Sequence, residues 1–111
     1  MKKQLTKEEF IELAKEYGYK VDGADSNYIA IYLNNTRCAD NLIAWLDAET
    51  KRGGCYDVRL LATGEICTKG NGRTLCSKEA LKNHLKRIEK DTLFWKKQYK
   101  LRLIKSIGLD E

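Results

Sequence analysis

The 111 residues, 42% apolar and 33% charged, have the length of one domain (residues 1–111) with a modest core, which excludes a multidomain enzyme. No apolar run approaches the roughly 18 residues a membrane span needs, and Met1-Lys2-Lys3-Gln4 leads into a charged amphipathic stretch rather than a signal-peptide core, so a cytoplasmic protein with no membrane partner is expected. The formal charge of +5 is unevenly placed. Residues 1–76 hold eleven Lys and Arg against eleven Asp and Glu, whereas residues 77–111 hold ten against five. The excess therefore sits in the C-terminal third, which suggests an acidic or polyanionic partner there, beside the plainer reading of a solvated lysine-rich helix face.

Thr6 followed by Glu9 has capping-box spacing, and Phe10, Leu13, Ala14 and Tyr17 then recur on one helical face with Glu8, Glu12 and Glu16 on the other. A helix is predicted from there to a stop at Gly18. Tyr19 to Asp22 reads as a short strand, and Gly23-Ala24-Asp25-Ser26-Asn27 supplies turn chemistry before the clearest strand, Tyr28 to Leu33. Its alternation sends Ile29, Ile31 and Leu33 one way and Tyr28, Ala30 and Tyr32 the other, so both faces are partly apolar.

Leu42 to Thr50 is compatible with a helix capped by Asp40 or with a strand that turns at Lys51-Arg52-Gly53-Gly54 into Cys55 to Leu61; the strand is preferred. Ala62-Thr63-Gly64-Glu65 reads as a reversal into Ile66 to Lys69. Asn71-Gly72 suits a type I′ hairpin turn, and counting outward from it places Cys67 opposite Cys76.

Ser77 can cap a final helix, the basic C-terminal segment of residues 77–107. Leu81, Leu85, Ile88, Thr92, Trp95, Tyr99 and Leu103 share one narrow arc, the predicted core seam, while Lys78, Lys82, Lys86, Lys90, Lys96, Lys97 and Lys100 occupy an adjoining one. From residue 93 onward Leu93, Phe94, Leu101 and Ile104 fall among the basic positions. A straight helix of this length spans about 45 Å, more than the roughly 34 Å diameter of a compact chain this size. It must break near Asp91-Thr92 and fold back, or protrude and bury its second apolar face against another chain.

Cys38, Cys55, Cys67 and Cys76 are separated by sixteen, eleven and eight residues and lack the close pairs of zinc or redox sites, so buried reduced thiols and no metal are expected. His84, the only histidine, is expected at a surface or boundary position with no activated nucleophile beside it. Gly70-Asn71-Gly72 and Gly53-Gly54 match no phosphate-loop pattern. No enzyme and no cofactor are expected. The pattern predicts an α+β fold, an antiparallel β-meander flanked by an N-terminal helix and a long or broken C-terminal helix. In size and element order this is similar to small phage and mobile-element proteins, although no motif names a family. The expected function is a non-enzymatic protein-binding module that inhibits or regulates nucleic-acid machinery, through a protein partner or a homodimer contact on the C-terminal helix. The alternative is direct nucleic-acid binding by that helix. The candidate surface is Lys82, Lys86, Arg87, Lys90, Phe94, Lys97, Lys100 and Leu101, in which lysines would attract phosphate and Phe94 would stack on a base.

Overall fold

A computed structural model describes residues 4–68 and 72–106. The order is α1 (Lys7–Glu16), β1 (Tyr28–Tyr32), two short 3-10 turns, β2 (Leu42–Asp47), β3 (Arg52–Tyr56), β4 (Arg59–Leu60), β5 (Ile66–Cys67), β6 (Gly72–Thr74) and α2 (Lys78–Ser106). Strands β1, β2, β3 and β6 form an antiparallel sheet in that order, and β4 and β5 form a separate two-stranded hairpin. The protein is α+β, as the pattern predicts.

Helix α1 begins where its capping box requires: the Thr6 hydroxyl accepts from Glu9 N–H at 3.1 Å and Glu9 Oε1 accepts from Thr6 N–H at 3.0 Å. It ends at Tyr17 and Gly18, the latter at φ +81°, where glycine avoids the clash a side chain would meet. Phe10, Leu13 and Ala14 are buried. Across from them lie Ile29 and Ile31 of β1, Ile43 and Leu46 of β2, Cys55 of β3, and Leu81, Leu85 and Ile88 of α2, which together make one core. Both helices thus cover the same face of the sheet. Among the described residues, only the bridge Asp22↔Ala30 represents the short strand expected at Tyr19 to Asp22.

Residues 42–47 are a strand, but the turn after it lies earlier than the glycines suggest. Asp47 Oδ1 accepts from the N–H groups of Glu49 and Thr50 at 3.0 and 3.3 Å, and its carbonyl accepts from Lys51 N–H at 2.8 Å. These bonds, with Lys51 at φ +61°, close the loop at residues 48–51. Gly53 and Gly54 then lie inside β3 because neighbours press on them: a Cβ would come within 2.9 Å of Trp45 O at Gly53 and within 2.5 Å of Trp45 Nε1 at Gly54. The expected strand Cys55 to Leu61 is accordingly divided between β3 and β4. The reversal at Ala62 to Glu65 is present, held by Leu61 N–H to Glu65 O and Gly64 N–H to Leu61 O.

The expected pairing of Cys67 with Cys76 is overturned. Cys67 lies opposite Arg59, whereas β6 pairs with β3, placing Gly72 opposite Tyr56 and Arg73 opposite Cys55. Thr68 is diverted to the carbonyl of Asp40, to which both its N–H and its hydroxyl donate. An isolated two-stranded ribbon is marginal in water, so the segment after the turn gains more by completing the edge of the existing sheet. Asn71 of the expected tip lies outside the described residues.

Ser77 caps α2, its hydroxyl accepting from Ala80 N–H at 3.1 Å. The helix then runs without interruption for 29 residues, so the alternative with a break near Asp91-Thr92 is corrected. Asp91 caps no second helix and instead pairs with Arg87 one turn earlier. The consequence is an elongated molecule of 57 × 28 × 23 Å with a radius of gyration of 16.0 Å, beyond the roughly 13 Å of a compact chain this long. The seam is buried at Leu81, Leu85 and Ile88, half-buried at Thr92, Trp95 and Tyr99, and exposed at Leu103.

Candidate functional site

The distal half of α2 leaves the body in stages. The β4–β5 hairpin still supports the helix as far as Tyr99, whose ring lies so close over Gly64 that a Cβ there would collide with it. Phe94 borders an open groove of about 470 Å³ between this hairpin and the helix, with Val58 and Leu60 on the other wall. Phe94 is nevertheless 50% exposed, Leu93 69%, Leu101 47% and Leu103 45%. Four large apolar side chains on eleven consecutive residues therefore face water.

All eight residues of the sequence-derived surface, Lys82, Lys86, Arg87, Lys90, Phe94, Lys97, Lys100 and Leu101, are exposed on α2. At about 100° per residue the five lysines fall within an arc of roughly 80°, with Leu93 inside it and Phe94 and Leu101 on its edge. The helix brings them onto one side. None of the five lysines has an ion-pair partner among the described residues. Arg87 differs, because its guanidinium reaches Asp57 at 3.7 Å and Asp91 at 3.5 Å. It belongs to the structure of the body as much as to the basic face.

That role leads to a polar cluster the sequence does not disclose. The Arg73 guanidinium meets the Asp57 carboxylate through two close contacts, Nη1 to Oδ2 at 3.1 Å and Nη2 to Oδ1 at 2.9 Å. Its Nη2 also lies 3.1 Å from His84 Nδ1, and His84 Nε2 lies 3.3 Å from Ile43 O. A guanidinium only donates, so Nδ1 must accept and the ring proton resides on Nε2, donating to Ile43. His84 is 3% exposed, which corrects the expected surface or boundary position. Burial holds its pKa below the ordinary value and the neighbouring Arg73 charge adds to the effect. Burial likewise pushes the Cys55 thiol up despite Arg73 beside it, so it is a poor nucleophile. The cluster anchors α2 to the sheet. Among the described residues, no group of three or more His, Cys, Asp and Glu is arranged to hold a metal ion.

A second surface was missed by sequence reasoning. On the sheet face away from both helices, Tyr28 stacks on Trp45 with ring centroids 5.6 Å apart and planes at 15°. Trp45 in turn lies over Gly54, and Tyr56 lies over Gly72, where a Cβ would come within 2.9 Å of the ring. Tyr32 and Tyr56 are near enough to Tyr28 to raise the pKa of its hydroxyl, although burial is the larger cause. Tyr28 and Tyr32 were visible as one side of the β1 alternation; Trp45 and Tyr56 join them only once the register of β2 and β3 is known.

With this geometry in view, the chain was compared with protein-family models, curated proteins and solved structures, and none of the three comparisons finds a match.

Proposed function

We propose that the protein is a small non-enzymatic binding module of the cytoplasm that inhibits or regulates nucleic-acid machinery, of the phage or mobile-element type, and that it engages a protein surface with the distal half of α2. One observation carries this reading: α2 passes the end of the body unbroken and presents Leu93, Phe94, Leu101 and Leu103 to water. Leu93, Phe94 and Leu101 lie in or beside the lysine arc and Leu103 continues the core seam, and large apolar side chains exposed beside charge mark an interaction surface. A second copy of the chain is the partner this surface fits first, because two such helices can cover each other's Phe94 and Leu101 at the edge of the lysine arc while the lysines stay to one side. Cys55 and Cys67 are buried as expected of reduced thiols, whereas Cys38 and Cys76 are exposed, which corrects that expectation for these two. No described helix is long and apolar enough to cross a membrane.

Multi-angle light scattering tests the reading. The wild type is expected at twice the 12.8 kDa of the chain, and Phe94→Lys with Leu101→Lys is expected to give a monomer with unchanged circular dichroism. A wild-type monomer at millimolar concentration would remove the self-association and leave only a heterologous partner.

That Lys82, Lys86, Lys90, Lys97 and Lys100 have no ion-pair partner among the described residues favours one further reading, direct binding of nucleic acid along the lysine arc. Lysines attract phosphate without reading sequence. Binding to a duplex would then weaken steeply with salt, and replacing Lys82, Lys86 and Lys90 with Gln would flatten that dependence.

A further inference from the structure

We propose that the aromatic outer face of the sheet is a second binding site, independent of α2, and that it takes a short proline-rich segment of another protein in the polyproline II conformation.

The dimensions limit the occupant first. Strands of five, six, five and three residues at about 3.3 Å per residue and 4.8 Å between strands offer a platform about 18 Å long and 14 Å wide, or roughly 250 Å². A stable complex between folded proteins needs about 800 Å² from each partner. Neither a folded protein nor a second copy of this chain is held by so small a face alone. A single extended segment is, and about six polyproline II residues at 3.1 Å each match the length of the strands.

Charge then separates the kinds of extended chain. Asp47 and Arg52 face each other across β2 and β3 at one end of the platform, so it carries no net charge where the lysine arc of α2 is strongly basic. A phosphate backbone finds no attraction here. An uncharged chain finds nothing to repel it.

The side chains specify the rest. Tyr28 is 49% exposed, and the stack it makes with Trp45, together with Tyr56 lying over Gly72, forms ridges of ring surface standing on a flat sheet. Pyrrolidine rings pack against such ridges. A proline-rich backbone has carbonyl acceptors and few N–H donors, and it calls for donors from its partner. Trp45 can only donate, tyrosine hydroxyls can donate, and the Trp45 indole N–H has no acceptor among the described residues. The 111 residues contain no proline, so none of them supplies the segment.

Titration of the full-length ¹⁵N-labelled protein with a decaproline peptide tests this by nuclear magnetic resonance. The expected result is a saturable shift of the Trp45 indole N–H and of amides in β1, β2 and β3, with the Trp95 indole unmoved as an internal control. Tyr28→Ala and Trp45→Ala should each weaken binding about tenfold or more, while Phe94→Lys on α2 should leave it unchanged. Tyr28 is exposed, so its variant remains informative if the Trp45 variant does not fold. No shift at about 1 mM peptide, shifts confined to α2, or a response of this face to single-stranded DNA or a neutral oligosaccharide instead of decaproline would each overturn the proposal. Because the α2 variant separates the surfaces, failure here is distinct from failure of the α2 docking.

Discussion

His84 shows how one buried side chain ties the helix to the sheet and makes the tie sensitive to acid. Its Nδ1 accepts from Arg73 and its Nε2–H donates to Ile43 O, so a second proton would stand on Nδ1 against a guanidinium that is itself held by Asp57. Burial, then Arg73, lowers the folded pKa below the ordinary histidine value. An unfolded chain therefore takes up this proton at a higher pH than the folded one, and the unfolded state gains as pH falls. The contribution of His84 to stability is fully present above about pH 6.5 and is lost as pH falls from there through the lower folded value. Urea unfolding of the wild type and of His84→Asn should accordingly converge on acidification. Equal pH dependence in the two proteins between pH 7.5 and 5 would contradict this account. Gly64 offers a second residue-scale test, since it combines φ +93° with the Tyr99 ring pressed against it. Gly64→Ala should cost about 1–3 kcal/mol, read as a lower urea midpoint, and should release the β4–β5 hairpin from α2.

At the scale of elements, α2 is two helices in energetic terms despite one uninterrupted backbone. Leu81 and Leu85 are 0% exposed, whereas Leu103 is 45% exposed. Leu81→Ala is expected to cost about 2–5 kcal/mol through lost burial and a cavity, and Leu103→Ser to change stability by less than about 0.5 kcal/mol. A large loss at Leu103 in dilute monomer would mean that the tail packs on the body after all. The elements also show what was legible beforehand. Thr6 with Glu9, the alternation from Tyr28 to Leu33 and the 3.6-residue seam of α2 are local patterns, and each marks its element. Local patterns fail where two physical causes leave one trace. Gly53-Gly54 resembles a turn, yet the glycines are needed because Trp45 occupies the space of a side chain, a fact of cross-strand packing. Asn71-Gly72 suits a hairpin, yet the open edge of β3 captures the segment that follows. The lysine arc of the candidate site was readable because a helix wheel is local, while the Asp57, Arg73 and His84 cluster and the stack of Tyr28 on Trp45 each join separate elements.

For the whole molecule, the separation of charge and apolar surface gives the two readings of α2 opposite responses to salt. Self-association would bring two sets of Lys97 and Lys100 toward a common rim around Leu93, Phe94 and Leu101. Like charges there repel over a distance that shrinks from about 30 Å at 0.01 M salt to about 8 Å at 0.15 M. Added salt screens that repulsion and leaves apolar burial intact, so a homodimer should tighten as ionic strength rises. Binding to duplex DNA through the same lysines releases condensed counterions and should weaken, with a log–log slope of about −0.9 for each phosphate neutralised. Sedimentation equilibrium of the wild type between 0.05 and 0.5 M NaCl, alone and with a short DNA duplex, distinguishes them in one series. A dimer that strengthens across it supports an apolar α2 contact, and one that dissociates would show that the subunits are held by charge. The acidic stripe of Glu8, Glu12 and Glu16 on α1, exposed at all three positions, would then be the surface opposite the lysines, and replacing those glutamates with Gln would abolish the association.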